Sequence, residues 1–289
     1  MTRLRISVVE YLNTAPLVWG FTNGPLAGKY ELSFTVPSLC AEELRSGQAD
    51  VAVIPAIEYQ RMDDVVVLPG MCIAARDEVR SILVVAKKPI EQARRIALDR
   101  SSRSSAALVR LLCAGRWRIQ PEFAEAAPNV EEMLADADAA LVIGDPALRL
   151  ALRAEEGPRE LLVRGYETLF LYDVAHEWRE MTGNPCVLAM WVARREAARP
   201  EVVADFLASR EYGLTRIPEI AAKAAGQLDL PARELEKYLR ENIQFSLDQE
   251  NRQGLELYFR LCAEAGLTPQ AKALEFAEGP TASVAGRGA

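Results

Sequence analysis

Residues Arg94–Gly115 read RRIALDRSSRSSAALVRLLCAG. RRIALD (Arg94–Asp99) has the apolar centre of a short buried strand. SSRSSAALVRLLCAG then repeats apolar residues at helical spacing, with serines at its start and Gly115 at its end. A strand that feeds a helix through a short polar turn is half of a βαβ unit. The same alternation runs outward in both directions. LRISVV (Leu4–Val9), YELSFTV, VAVIPA, VVVLPGMCIAA and EVRSILVVAK read as strands, with LCAEELRSGQAD as a helix between them. NVEEMLADADAALVIGD is helix then strand, and VLAMWVARRE is one more strand after the polar helical stretch VAHEWREMTGNP. The pattern predicts an α/β fold with largely parallel sheet. From Pro200 onward the chain reads as helices, and the small, polar tail EGPTASVAGRGA is expected to fray.

The chain of 289 residues is half hydrophobic and about a quarter charged, with a net charge of −7. That profile fits a large folded core and argues against nucleic acid or an anionic membrane as partner. No apolar run approaches the roughly 20 residues that span a bilayer. The N-terminus MTRLRISVVEYLN has no apolar signal region, so a cytoplasmic location is expected. Cys40, Cys72, Cys113, Cys186 and Cys262 stand far apart, with no C-x-x-C pair and with His176 as the one histidine. Reduced, buried thiols are expected, and a Cys/His metal cluster is not.

The strand pattern suggests two lobes. One comprises residues 1–83 plus 187–289, and the other is an insertion at 84–186. Adjacent strands at SILVVAK and CVLAMWV would cross between them as a hinge, leaving an interlobe cleft for a ligand. Open α/β sheets bind ligands beyond the carboxyl ends of their strands. Four segments lie there: YLNTAPL, IPAIEY, DRSSRSS and GDPAL.

At DRSSRSS, Ser101, Ser102, Ser104 and Ser105 mark a helix start whose free N–H groups and dipole can hold a carboxylate or phosphate without a lysine. Capping by Asp99 or a serine is the alternative, and both readings stay open here. YLNTAPL is on local chemistry a turn with Pro16 at a helix start. GDPAL is a strand-to-helix turn with Asp145 as its cap. His176 reads as a solvated helix residue, and Trp178 and Trp191 as core. No G-x-S-x-G, H-E-x-x-H or Cys/His pair is present. The residues alone therefore point to a two-lobed α/β protein that binds a small anionic molecule.

Taken together, VVEYLNTAPLVWGF, LRSGQADVAVIPAIEY, EVRSILVVAKKPI, RIALDRSSRSSAALVRLL, LVIGDPAL and YDVAHEWREMTGNPCVLAMWVAR closely resemble the chorismate dehydratase family of the futalosine route to menaquinone. The resemblance runs from Arg5 to about Leu267. It implies a fold like type II periplasmic binding proteins, a substrate (chorismate) and no cofactor or metal. It also implies elimination of water to give 3-[(1-carboxyvinyl)oxy]benzoate. Carried over by motif, Asn13 would be the catalytic residue facing the ring. Ser81, Ser102, Arg103, Ser104 and Ser105 would supply hydrogen bonds, Ile54, Pro55 and Gly144 would shape the cleft, and Tyr11 and Asp145 would line it. Asn13 is a neutral amide and cannot be an ordinary base. The substrate's own enolpyruvyl carboxylate is therefore the expected proton acceptor, with Glu58 and Asp145 as fallbacks. Two other readings are a non-catalytic small-anion binding protein and the sister enzyme that cleaves cyclic dehypoxanthine futalosine. The missing leader or lipobox and the missing helix-turn-helix speak against the first. The sister family's first-strand motif and catalytic histidine have no counterpart here.

Overall fold

The computed structural model describes residues 3–156 and 169–279, so the tail lies almost wholly outside the described residues. The chain opens with β1 (Arg5–Val9), a short 3-10 turn (Leu12–Thr14), α1 (Ala15–Thr22), β2 (Glu31–Thr35), α2 (Pro37–Ser46), β3 (Val51–Pro55), α3 (Ala56–Tyr59) and β4 (Val65–Ala75). Next come β5 (Ile82–Ala86), β6 (Arg95–Asp99), α4 (Arg103–Gly115), β7 (Glu122–Ala126), α5 (Val130–Asp136), β8 (Ala139–Ile143), α6 (Gly144–Glu156), β9 (Phe170–Asp173) and α7 (Val174–Thr182). β10 (Cys186–Arg194) precedes α8 (Pro200–Thr215), α9 (Ile217–Leu228), α10 (Ala232–Lys237), a π-helical turn (Tyr238–Asn242) and α11 (Gln249–Glu264).

The strands form two five-stranded sheets, in the orders β2-β1-β3-β10-β4 and β7-β6-β8-β5-β9. Strand composition matches position. β3 (VAVIP), β5 (ILVVA) and β8 (AALVI) are buried along their whole length, as strands covered on both faces must be. The edge strands β2 and β7 are partly exposed and carry polar residues. Local signals fix several helix ends. α2 stops at Gly47, in the left-handed region with φ 74°, and α7 begins at Asp173, whose side chain accepts from the Ala175 and His176 N–H groups.

The α/β class is as expected, but both sheets are mixed. β1, β2 and β3 are parallel, whereas β10 runs antiparallel to both β3 and β4. In the second sheet β6, β7 and β8 are parallel, and β5 runs antiparallel to β8 and β9. β5 and β10, expected as neighbouring strands of a hinge, belong to different sheets. The chain crosses between sheets through residues 76–81 and again through 183–185. The carboxylate of Asp173 ties the first crossing to the start of α7. It accepts from Val79 N (3.1 Å), Arg80 N (2.6 Å), Ala175 N (3.0 Å) and His176 N (3.2 Å). The main core runs through both sheets and includes the fully buried Trp178 and Trp191, matching the reading of both as core. The C-terminal segment covers the outer edge of the first sheet. Val67 N donates to Glu275 O (2.8 Å), and Ala277 N donates to Val67 O (2.9 Å).

No described helix is long and apolar enough to cross a membrane, and all five cysteines are buried and free.

Candidate active site

β1 delivers its chain into Tyr11 and the 3-10 turn, and Pro16 then starts α1 where its missing N–H costs nothing. The turn is anchored by Leu12 N, which donates to Asp145 Oδ1 at 3.1 Å, so Asp145 links it to the start of α6. Asn13 is thereby held almost fully buried, 8% exposed. It faces a narrow cavity of about 60 Å3 between the two sheets. Tyr11, Pro55, Ser81, Ser102, Ser104, Ser105 and Gly144 share that wall.

At the serine-rich start of α4 the capping reading does not hold. Ser102 occupies the cap position, but no side chain caps the helix. Asp99 turns instead to Ser101, accepting from its N–H (2.8 Å) and its hydroxyl (2.7 Å). Ser104 Oγ accepts from Ile57 N at 3.1 Å, and the Ser104 carbonyl accepts from the Tyr258 hydroxyl at 3.0 Å. These bonds pin the helix start to α3 and α11 and leave the Ser104 hydroxyl proton free. The result is an open helix N-terminus with three serines on a cavity wall, an arrangement suited to an anion.

Gly144 is required by packing. Its φ is 68°, and a Cβ there would lie 2.6 Å from the Tyr11 ring. Its N–H donates to the Ser81 carbonyl at 2.7 Å, which brings the starts of α6 and β5 together. Ser81 Oγ in turn accepts from the hydroxyl of Tyr238 at 2.9 Å.

Three of the motif-derived residues lie off this wall. Ile54 is fully buried inside the first sheet, opposite Met190. Arg103 points away and forks onto Glu58 (2.8 Å) and Glu42 (2.8 Å). Asp145 lines a larger neighbouring cavity of about 610 Å3 with Trp19 and Lys223, and the Tyr11 ring stands between the two. Glu58 is also outside the wall. Its fully buried carboxylate is shared by Arg45 (2.5 Å), Arg61 (2.8 Å) and Arg103 (2.8 Å). His176 is largely solvated and pairs with Asp77 at 2.7 Å, which raises its pKa.

Sequence reasoning missed Val9, Pro37, Ile73, Ile82, Ile143, Leu188 and Ala189, which make up the rest of the apolar wall, and Tyr238 behind it. The wall strands were legible, but not which of their residues face inward. Tyr238 sits in the helical stretch PARELEKYLREN, where nothing distinguishes it from an ordinary core tyrosine.

The electrostatics are those of neutral donors. Burial pushes the Tyr11 phenol up to about 12, helped by the Asp99 charge and opposed by the Ser101 hydroxyl. Burial also raises Asp99 and Asp145. Among the described residues no lysine, arginine or histidine lines the cavity. It therefore offers uncharged hydroxyls, an amide and backbone N–H groups, a set of groups able to hydrogen-bond a carboxylate or a hydroxyl. No described cluster of His, Cys, Asp and Glu could hold a metal ion.

A family model described as menaquinone biosynthesis matches residues 4–264. The chain is 28% identical over 265 residues to a chorismate dehydratase of Thermus thermophilus, covering 88% of this chain and 93% of that protein. Among solved structures it is similar to protein AF1704 from Archaeoglobus fulgidus, with a TM-score of 0.69, 17% identity and coverage of 91% and 98% of the two chains. It is also similar to the periplasmic aliphatic sulphonate binding protein SsuA from Escherichia coli, with a TM-score of 0.61, 18% identity and coverage of 99% and 96%. These two structures share the fold: a periplasmic-binding-protein-like pair of α/β lobes.

Proposed function

The chain belongs to the menaquinone-biosynthesis family, and on that premise we propose that it is a chorismate dehydratase, a carbon–oxygen lyase acting in the cytoplasm. One observation carries the reading. The uncapped, serine-rich start of α4 faces Asn13 and Ser81 across a cavity to whose wall the described residues contribute no cationic side chain. Chorismate has two carboxylates and a ring hydroxyl, which is the set of groups such a wall can hold.

In the proposed reaction the C3–H bond breaks, and its electron pair becomes the ring C3=C4 bond. The C4–O bond breaks with its pair, and the departing hydroxide takes up the proton as water. The ring becomes aromatic, so the products lie far downhill. The protein's task is then to fix the carboxylates at Ser102, Ser104 and Ser105 and to hold the C4 hydroxyl against Asn13 and Ser81. Asn13 has no proton-accepting role at neutral pH. The substrate's enolpyruvyl carboxylate takes the C3 proton and hands it to the hydroxide. The position of Glu58, tied to three arginines outside the cavity wall, supports this internal base over a protein carboxylate.

A cavity of about 60 Å3 has room for roughly four waters. A ten-carbon substrate therefore needs the two sheets to part, and residues 76–81 and 183–185 are where they would pivot.

The test is to incubate purified protein with chorismate, without added metal or nucleotide, and to follow the aromatic enolpyruvyl ether. Appearance of that product supports the reading. Tight chorismate binding without product would favour a non-catalytic binding protein. Asn13→Ala should lower turnover about a hundredfold, as loss of a preorganised polar group does, and near-normal turnover would remove Asn13 from the mechanism.

A further inference from the structure

We propose that a second cavity, behind the start of α4, binds a small polyanion with at least two phosphate or carboxylate groups, and that its occupancy weakens substrate binding. The cavity has a volume of about 330 Å3, within the range of small-molecule sites. The end of β6, one face of α4 and the turn after α11 enclose it. Along α4, Arg103, Ala106, Ala107 and Arg110 line it at helical spacing, so two arginines share one face with small residues between them. Arg100, just past β6, and Arg61, just past α3, bring the arginines on the wall to four.

The four are not equivalent. Arg61 is held by Glu58 (2.8 Å) and the Leu267 carbonyl (3.0 Å), and Arg103 by Glu58 and Glu42 (2.8 Å each). Arg45 shares in neutralising both glutamates. Arg100 and Arg110 have no ion-pair partner among the described residues. The Arg110 guanidinium lies flat enough on Phe123 to bring its carbon within 4.2 Å of the ring centre. Such stacking orients the group and leaves its in-plane N–H donors for an anion. Two acids on the wall oppose the arginines. Asp99 is 1% exposed with Oδ1 taken by Ser101, and Glu125 is exposed to solvent. In a chain of net charge −7, two unpaired guanidinium groups in one cavity are a local exception. They come from different elements, which fits a ligand with two anionic groups better than one. Ser102 lines both this cavity and the small one, so a single residue separates them. Negative charge on the arginine side therefore repels a carboxylate held at the α4 start. That coupling rests on the reading of the small cavity as the chorismate site, whereas the binding does not.

The test is calorimetric titration of the full chain with pyrophosphate and, separately, with citrate, at constant ionic strength. At least one should bind with a Kd of about 1 mM or tighter. Pyrophosphate alone would mark a phosphate site, and citrate alone a carboxylate site. Arg100→Ala with Arg110→Ala should weaken binding at least about tenfold, and Ser105→Ala, in the small cavity, should leave it within about twofold. If the double variant does not fold, the exposed Arg100→Ala alone should weaken binding at least about threefold. Absence of binding by both probes would overturn the proposal, and so would binding that Ser105→Ala weakens and the arginine variants do not. In steady-state kinetics a saturating probe should raise the KM for chorismate about three- to tenfold with kcat little changed, and the arginine variants should lose that effect while keeping basal turnover. An unchanged KM would overturn the coupling. A wild-type chain without turnover would overturn the reaction instead, and the titrations would still decide the site.

Discussion

Glu58→Gln separates a structural carboxylate from a catalytic one. Glu58 is fully buried, and the three arginines around it are each about a third exposed, with side-chain exposures of 35%, 38% and 32% for Arg45, Arg61 and Arg103. The substitution keeps the shape but removes the charge, and it turns an NH2 group toward at least one guanidinium. Removing one partner of a buried ion pair typically costs about 3–5 kcal/mol. Here the arginines can rehydrate through their exposed thirds, so about 2–3 kcal/mol is the better figure. Unfolding entropy of about 2.1 cal/mol/K per residue gives roughly 0.6 kcal/mol/K for a chain of this length. The thermal midpoint should therefore drop by about 3–5 °C. Circular dichroism melts measure that shift, and chorismate turnover at 25 °C should remain within about threefold of wild type, since Glu58 touches no cavity wall. A hundredfold loss of turnover with an unmoved melting point would refute the reasoning and make Glu58 the proton acceptor.

Gly144→Ala should cost about 1–2 kcal/mol from its left-handed backbone alone. It should also displace the Tyr11 ring 2.6 Å from the new Cβ, so a variant with wild-type KM and melting point would show that Tyr11 is not held in place by this contact. Ser105→Ala removes one hydroxyl from the α4 start and should raise the KM for chorismate about three- to tenfold with little change in kcat, as steady-state kinetics would show. Burial raises the Asp173 carboxyl to about 6, against the opposing N–H groups of Arg80, Val79, His176 and Ala175. A native pKa above the unfolded value means that this group's contribution to stability is full below about 4 and is lost as pH rises through about 6. Urea midpoints measured between pH 4 and 7 should show that fall in the wild type and a flatter profile in Asp173→Asn.

The fold class was legible because the apolar runs were long and their separations fitted alternating strands and helices. Strand direction was not. ILVVA and CVLAMWVAR are continuous apolar runs, and such a run reads the same in either direction. The two partners of β10 in the sheet, β3 and β4, also lie more than a hundred residues earlier in the chain. The site was legible where a chemical group coincides with a strand end, as at Asn13 and the serines. It was not legible within a motif, because neighbours in a tight turn point different ways. Arg103 sits between two cavity serines yet faces Glu42 and Glu58. Tyr238 gave no signal at all, because its contact with Ser81 comes from a π-helical turn meeting a distant crossing, and no local pattern encodes that encounter.

The placement of β10 between β3 and β4 has a consequence for biosynthesis. The second sheet is built from one unbroken stretch, β5 to β9, and can close as soon as it leaves the ribosome. The first sheet cannot. β3 and β4 wait with facing edges unpaired while about 110 more residues are made, on the order of ten seconds at ordinary translation rates. Only then does β10 slot between them and bring Leu188 and Ala189 to the cavity. Completion of the cavity therefore comes late in synthesis, and a nascent chain halted before residue 186 carries the serine-rich helix start, Asn13 and Ser81 without the strand that joins β3 to β4 and without Leu188 and Ala189 on the wall.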